Sequence, residues 1–142
     1  MAQASASIDI PAPPDQVWQL IGGFNSLPDW LPQTHRSELS EGGRVRHIAS
    51  ANGEAIVERL EAFDNDARSY SYSILHAPFP VAAYQSTLCV QAMRGGKSSR
   101  VKWFGQFVPK GVSDREASRL FQAFYEDGLK ALAAGFISNE AK

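Results

Sequence analysis

Glu58-Arg59-Leu60-Glu61-Ala62-Phe63-Asp64, then Tyr70-Ser71-Tyr72-Ser73-Ile74, then Tyr84-Gln85-Ser86-Thr87-Leu88-Cys89-Val90 read as consecutive β-strands separated by the turn sequences Asp64-Asn65-Asp66 and Pro78-Phe79-Pro80. Side chains along a strand alternate between two faces. One face therefore collects Glu58 and Leu60, with Ile56 just before them, from the first strand, Tyr70, Tyr72 and Ile74, with His76 just after them, from the second, and Tyr84, Ser86, Leu88 and Val90 from the third. The result is an apolar wall carrying a few carboxylate, phenol and hydroxyl groups. Small-molecule cavities are lined in this way, with apolar surface for affinity and a few polar groups for orientation.

Working outward, the same alternation predicts six strands over 34–40, 44–50, 55–63, 68–77, 82–93 and 99–108. Gly42-Gly43, Asn52-Gly53 and Gly95-Gly96 mark the remaining turns, because these residues tolerate the backbone angles that tight connections need. Short connections make the run an antiparallel meander. A further strand over 4–10 precedes it, ended by Pro11, Pro13 and Pro14, and the prolines suit the first turn of a short helix over 15–21. Gly22-Gly23 breaks that helix, and a second short helix is expected over 24–31, stopped by Pro32. At the other end Ser113-Asp114-Arg115-Glu116 has the form of a capping box. Ala117, Leu120, Phe121, Phe124, Gly128, Leu129, Leu132 and Phe136 follow at three- and four-residue spacing, one apolar stripe of a long amphipathic helix. That stripe has to be buried against the concave face of the sheet. The expectation is an α+β fold in one domain, residues 1–142: a seven-stranded curled antiparallel sheet wrapped around a long C-terminal helix, with two short helices between strands 1 and 2.

The composition bounds the function. The chain has 142 residues, 44% of them hydrophobic and 20% charged, as in an ordinary globular domain. Its 14 basic and 15 acidic residues leave a net charge of −1 without a basic run, which argues against phosphate-dominated nucleic-acid binding. No apolar run approaches the roughly 20 residues needed to span a bilayer, and the N-terminus lacks the pattern of a signal peptide. The expectation is a cytoplasmic protein without stable membrane insertion. Cys89 is the single cysteine, so no internal disulfide is available, and between Leu88 and Val90 it reads as an unreactive strand thiol. The three histidines, His35, His47 and His76, have no metal-ligand spacing, and neither a metal nor a cofactor is expected. Gly-x-Ser-x-Gly is absent, which argues against a serine hydrolase of the α/β type.

The element order and several short motifs resemble the START-like, or SRPBCC, superfamily, in particular its polyketide cyclase/dehydrase-like bacterial members. The motifs are Ile10-Pro-Ala-Pro with Val17-Trp18, Leu27-Pro-Asp-Trp30-Leu-Pro32, Glu58-Arg-Leu60 with Asp64, Tyr70-Ser-Tyr72, Tyr84-Gln-Ser86-Thr, Val101-Lys-Trp103 with Phe107-Val-Pro109, and Gly128-Leu129 with Leu132. The resemblance implies a helix-grip fold enclosing a cavity for an apolar or amphipathic ligand. By carry-over from the plant abscisic acid receptors of that superfamily, it points to Glu58, Tyr84 and Ser86 as cavity-facing. The receptors' gate would fall at Ser50-Ala-Asn-Gly-Glu54, but its sequence is absent here, so hormone sensing is not implied.

The candidate ligand-binding residues are thus Glu58, Tyr70, Tyr72, Tyr84, Ser86, Trp103, Leu120, Phe124 and Gly128. Trp103 is expected inward because Lys102 and Gln106 alternate with it. Leu120, Phe124 and Gly128, four residues apart, are expected to form the helix wall, with Gly128 leaving room for the ligand. Three functions remain open. The first is a binder of a small apolar or aromatic molecule (lipid-, polyketide- or hormone-like). The second is a cofactor-free cyclase or dehydratase using Glu58 with a Tyr or His as acid and base, and the third a membrane-docking lipid or quinone chaperone, hinted at by Phe79 between two prolines. The bland alternative for Glu58 is a solvated rim residue paired with an arginine. A monomer or a homodimer is expected.

Overall fold

The computed structural model describes residues 1–140, with side-chain surroundings given through Phe136. The chain runs β1 (Ala2–Ile10), α1 (Pro14–Ile21), α2 (Leu27–Trp30), β2 (Thr34–Ser40), β3 (Val45–Ser50), β4 (Ala55–Asp64), β5 (Ser69–His76), β6 (Val81–Met93), β7 (Ser98–Pro109) and α3 (Asp114–Glu140). The strands form one antiparallel sheet in the order β1-β7-β6-β5-β4-β3-β2. Six consecutive strands are a meander, and β1 closes on β7 at the far edge. The two short helices carry the chain from the β1 edge to the β2 edge.

The expected architecture is present, and the element limits differ where local chemistry overrides alternation. The second short helix is one turn, not eight residues, because Ser26 sits at its N-cap and Pro28 in its first turn. Its end at Trp30 follows from Pro32, which forces Leu31 into an extended conformation. β1 begins two residues early, since Ala2 and Gln3 still find partners in Phe107 and Gln106. At the start of α3 the Ser113 hydroxyl accepts a hydrogen bond from the Glu116 backbone N–H at 3.1 Å, one half of a capping box.

α3 does not lie centrally in the curled sheet. It packs against β1 and β7 and only weakly against the strands beyond them. Ala117, Phe121, Tyr125, Leu129 and Leu132 fill that contact, each buried. Tyr125 belongs to this stripe although its hydroxyl masks it in the sequence. Leu120, by contrast, sits at the stripe's edge and remains 43% exposed.

Two glycines set how closely the layers approach. A Cβ on Gly105 of β7 would fall 2.5 Å from the Tyr125 hydroxyl and 3.0 Å from the Gln85 carbonyl oxygen. A Cβ on Gly128 would fall 2.9 Å from both Leu31 Cδ1 and the Trp103 ring. The space beside Gly128 is therefore occupied by Leu31 and Trp103, which corrects the expectation that it is kept open for a ligand. A Gly128→Leu variant should lose roughly 1–3 kcal/mol through overpacking, despite the better helix propensity of leucine. Urea unfolding of the variant checks this; unchanged stability would show that Trp103 moves aside without cost.

Candidate functional site

The site starts from a hairpin. β3 and β4 pair about Asn52, so Arg46 stands directly opposite Glu58. Both are buried in the concave face: the Arg46 side chain keeps 1% of its accessible surface and Glu58 keeps 9%. Arg46 Nε and Nη2 both approach Glu58 Oε1, at 2.8 and 2.7 Å. Arg46 Nη1 donates to the Phe24 carbonyl oxygen at 2.7 Å and to the Tyr70 hydroxyl at 3.3 Å. The guanidinium lies 4.2 Å from the Phe24 ring centre and 4.8 Å from that of Tyr72, within cation–π range.

Burial and charge oppose one another here. Burial alone would weaken the Arg46 charge, but Tyr70, Glu58 and Tyr72 around it hold its proton more tightly than usual. Burial pushes the Glu58 carboxyl above its ordinary value, and the guanidinium beside it pulls part of the way back. The two directions describe one coupled pair. Its geometry is that of an ion pair with four of the five guanidinium N–H groups engaged.

Between this pair and α3 lies a cavity of about 280 Å³. It exists because the helix covers β1 and β7 and leaves the concave face of β3–β5 unfilled. Leu27 from α2 and Leu31 just after it close one side; Ile48, Ile56, Tyr72 and Ile74 form the sheet wall; Trp103, Phe121 and Phe124 form the helix-side wall. At the mouth stand Leu120 and the β3–β4 connection, Ser50, Ala51, Asn52 and Glu54. That connection is braced: the Glu54 N–H donates to Ser50 Oγ and Asn52 Oδ1, and Asn52 Nδ2 donates to Glu54 Oε1 at 2.6 Å.

Of the nine candidate residues, Glu58, Tyr72, Tyr84, Trp103, Leu120 and Phe124 border the cavity. The other three stand behind it. Tyr70 supports Arg46 from below, and the Ser86 hydroxyl donates to the Phe104 carbonyl oxygen and meets the Tyr125 hydroxyl. Gly128 lies under Trp103. The hydroxyls of Tyr84 and Tyr125 are hydrogen-bonded to each other, and Trp103 Nε1 donates to the Tyr72 hydroxyl at 3.1 Å. Burial raises the Tyr72 and Tyr84 phenols well above the ordinary range and Tyr125 to about 12, so all three stay neutral donors and acceptors.

Neither His35 nor His47 reaches the interior; both are exposed, and His47 Nε2 pairs with Ser40 Oγ. His76 is exposed at the end of β5. Among the described residues no three His, Cys, Asp or Glu side chains gather as a metal site would require. Cys89 is half-buried, and burial raises its thiol, which lowers its reactivity.

The sequence reading missed Arg46, the residue that organises the site. The signal was present: Arg46 alternates with Ile48, and a hairpin centred on Asn52 places residue 46 opposite residue 58. Removing one member of a buried pair strands the other's charge, so Arg46→Met should cost about 3–5 kcal/mol, and the double change Arg46→Met/Glu58→Leu should recover most of it. Chemical denaturation of both variants checks this, and equal losses would refute the coupling. The raised carboxyl also predicts a sign with pH. Above the ordinary value of 4.5 and below the raised folded value, the folded protein holds a proton that the unfolded chain has released. This group's contribution to stability is thus present at low pH and falls as pH rises through that window, and the slope difference between wild type and Glu58→Gln measures it.

Residues 1–136 match the family described as polyketide cyclase/dehydrase and lipid transport. The protein XoxI of Bacillus cereus has a solved structure that superposes with a TM-score of 0.96 at 54% identity, covering 99% of each chain. A protein of Bacillus thuringiensis superposes at 0.94 with 53% identity, over 96% of this chain and 99% of that one. Among plant proteins, MLP-like protein 423 of Arabidopsis thaliana is 27% identical over 113 residues, 70% of this chain and 72% of the plant protein. With its helix-grip fold and a family match spanning nearly its whole length, the chain belongs to the polyketide cyclase/dehydrase and lipid transport family.

Proposed function

We propose that the protein binds a small apolar or aromatic molecule in the cavity between the sheet and α3. The observation that carries this reading is an apolar cavity of about 280 Å³ with a buried ion pair on its inner wall. An apolar cavity of about 150 Å³ is enough to hold benzene. A two-ring aromatic therefore fits here. In this reading Trp103, Phe124 and Ile74 supply contact area, and Glu58, Tyr72 and Tyr84 orient the polar end of the ligand. Leu120 and the Ser50–Glu54 connection flank its entrance. No described helix is long and apolar enough to cross a membrane. Phe79, which suggested a membrane-docking surface, turns inward onto the Phe121 ring at 5.4 Å, and that supports the binder over the membrane-docking chaperone.

A neutral two-ring probe such as 6-propionyl-2-(dimethylamino)naphthalene should brighten on mixing with the protein and lose that response in Ile74→Trp, whose indole fills the cavity. Absence of any response in the folded wild type would refute the reading. Native mass spectrometry of protein purified from its own host would show whether a small molecule is retained.

A second reading, a cofactor-free cyclase or dehydratase, is favoured by one feature: Glu58 is a buried carboxyl with a raised pKa, bordering the same cavity as the Tyr72 phenol. The two readings separate at Glu58→Gln. A passive anchor changes affinity for a neutral ligand by no more than about 1–2 kcal/mol. A proton-transfer group changes turnover by roughly 100-fold or more with little effect on binding. Paired measurement of affinity and conversion on aromatic and polyketide-like substrates decides between them, and conversion that collapses in the variant would replace the binder with the enzyme.

A further inference from the structure

We infer that the cavity selects a neutral aromatic molecule carrying a hydroxyl group, a phenol or enol, whose O–H donates to Glu58 Oε2 and whose oxygen accepts from the Tyr72 hydroxyl, and that it rejects the corresponding carboxylate. This rests on the cavity being a ligand site and names the chemistry of its polar end.

An arginine bordering a cavity ordinarily suggests an acidic ligand. Here four of its five N–H donors are engaged. Nε and Nη2 are held on Glu58 Oε1, Nη1 is held on the Phe24 carbonyl and the Tyr70 hydroxyl, and 1% of the side chain remains accessible. What the wall presents instead is Glu58, with 9% of its side chain accessible. Both guanidinium contacts fall on Oε1, and among the described residues Oε2 has no hydrogen bond. That oxygen is an acceptor facing the cavity.

The complementary donor stands next to it. Glu58 opposes Ile74 and Leu60 opposes Tyr72, so Glu58 and Tyr72 are diagonal neighbours on the concave face, a distance that long and aromatic side chains bridge. The Tyr72 oxygen already accepts from Trp103 Nε1, and its own proton makes no further direct hydrogen bond among the described residues, with the Ser86 hydroxyl standing opposite it on β6. A donor on one diagonal neighbour and an acceptor on the other are satisfied together by a hydroxyl, which donates once and accepts from the other side. A ligand carboxylate fits neither requirement. It has no proton for Oε2, and it places a second negative charge beside Glu58 where the surroundings screen poorly.

The test uses three matched probes at neutral pH: naphthalene, 2-naphthol and 2-naphthoate, with affinities read by titration calorimetry or ligand-observed NMR. The expected order is 2-naphthol tightest, by roughly 10- to 100-fold over naphthalene as a hydrogen bond to a charged acceptor implies, with 2-naphthoate weakest. Tyr72→Phe, which keeps the ring and removes the donor, should reduce the advantage of 2-naphthol several-fold. Glu58→Gln frees the Arg46 charge, so in that variant 2-naphthoate should gain on 2-naphthol. If the variants do not fold, the wild-type ranking still decides. Equal binding of naphthalene and 2-naphthol overturns the hydroxyl site and leaves the cavity reading standing; tightest binding of 2-naphthoate likewise overturns the site alone. Binding of none of the three overturns both.

Discussion

A guanidinium buried to 1% of its surface is the constraint around which the molecule is organised. An isolated charge of this kind would be strongly destabilising in an apolar interior, so every element near it contributes something that holds it. β4 supplies the carboxylate of Glu58, the segment between α1 and α2 supplies the Phe24 carbonyl, and β5 supplies the hydroxyl of Tyr70 and the ring face of Tyr72. These contacts fix the short helical segment against the sheet. They also place a polar, neutralised patch on a wall that would otherwise be packed solid with aliphatic side chains, and the cavity opens over that patch.

The other half of the interior is built differently. Trp103 stacks on Tyr125 with ring centres 4.7 Å apart, Phe107 meets Phe121 at 4.7 Å, and Tyr84 lies 4.9 Å from Phe121. This aromatic block joins α3 to β6 and β7, and it needs Gly105 and Gly128 because a methyl group at either position would collide with a ring or a pinned hydroxyl. Close packing on the β1–β7 side holds the helix away from β3–β5. The tightness of one side therefore creates the space on the other, and Trp103 belongs to both: it stacks on Tyr125 and it borders the cavity.

Much of this could be read from the sequence, and the parts that could be read are those set by local periodicity. Strand alternation placed Glu58, Tyr72, Tyr84 and Trp103 on the concave face, and the three- and four-residue spacing from Ala117 onward identified the long helix. What escaped depends on how faces meet. Gly128 looked like room for a ligand because spacing along one helix says nothing about the Trp103 ring brought up from β7. Tyr125 was passed over because a hydroxyl counts against an apolar stripe until its partners, Tyr84 and Ser86, are known. Arg46 was passed over for a similar reason: a charged residue in a strand is normally solvent-facing, and only the hairpin register shows that it faces Glu58. Polar residues that pair across the interior are invisible to patterning that treats polarity as exposure.

The division of the interior into a packed half and an open half also explains why Glu58, and not Arg46, is the group offered to a ligand. Arg46 projects from β3 toward Phe24 and is enclosed by aromatic rings on its way, whereas Glu58 sits one strand nearer the centre of the sheet and keeps 9% of its side-chain surface accessible. The enclosed member of the pair fixes the geometry of the accessible member. A carboxylate anchored through one oxygen has little freedom to rotate, so its second oxygen is held in one direction without the entropy loss that a mobile side chain would suffer on binding. The ion pair then contributes less by attraction to a ligand than by holding a single acceptor still at the cavity wall.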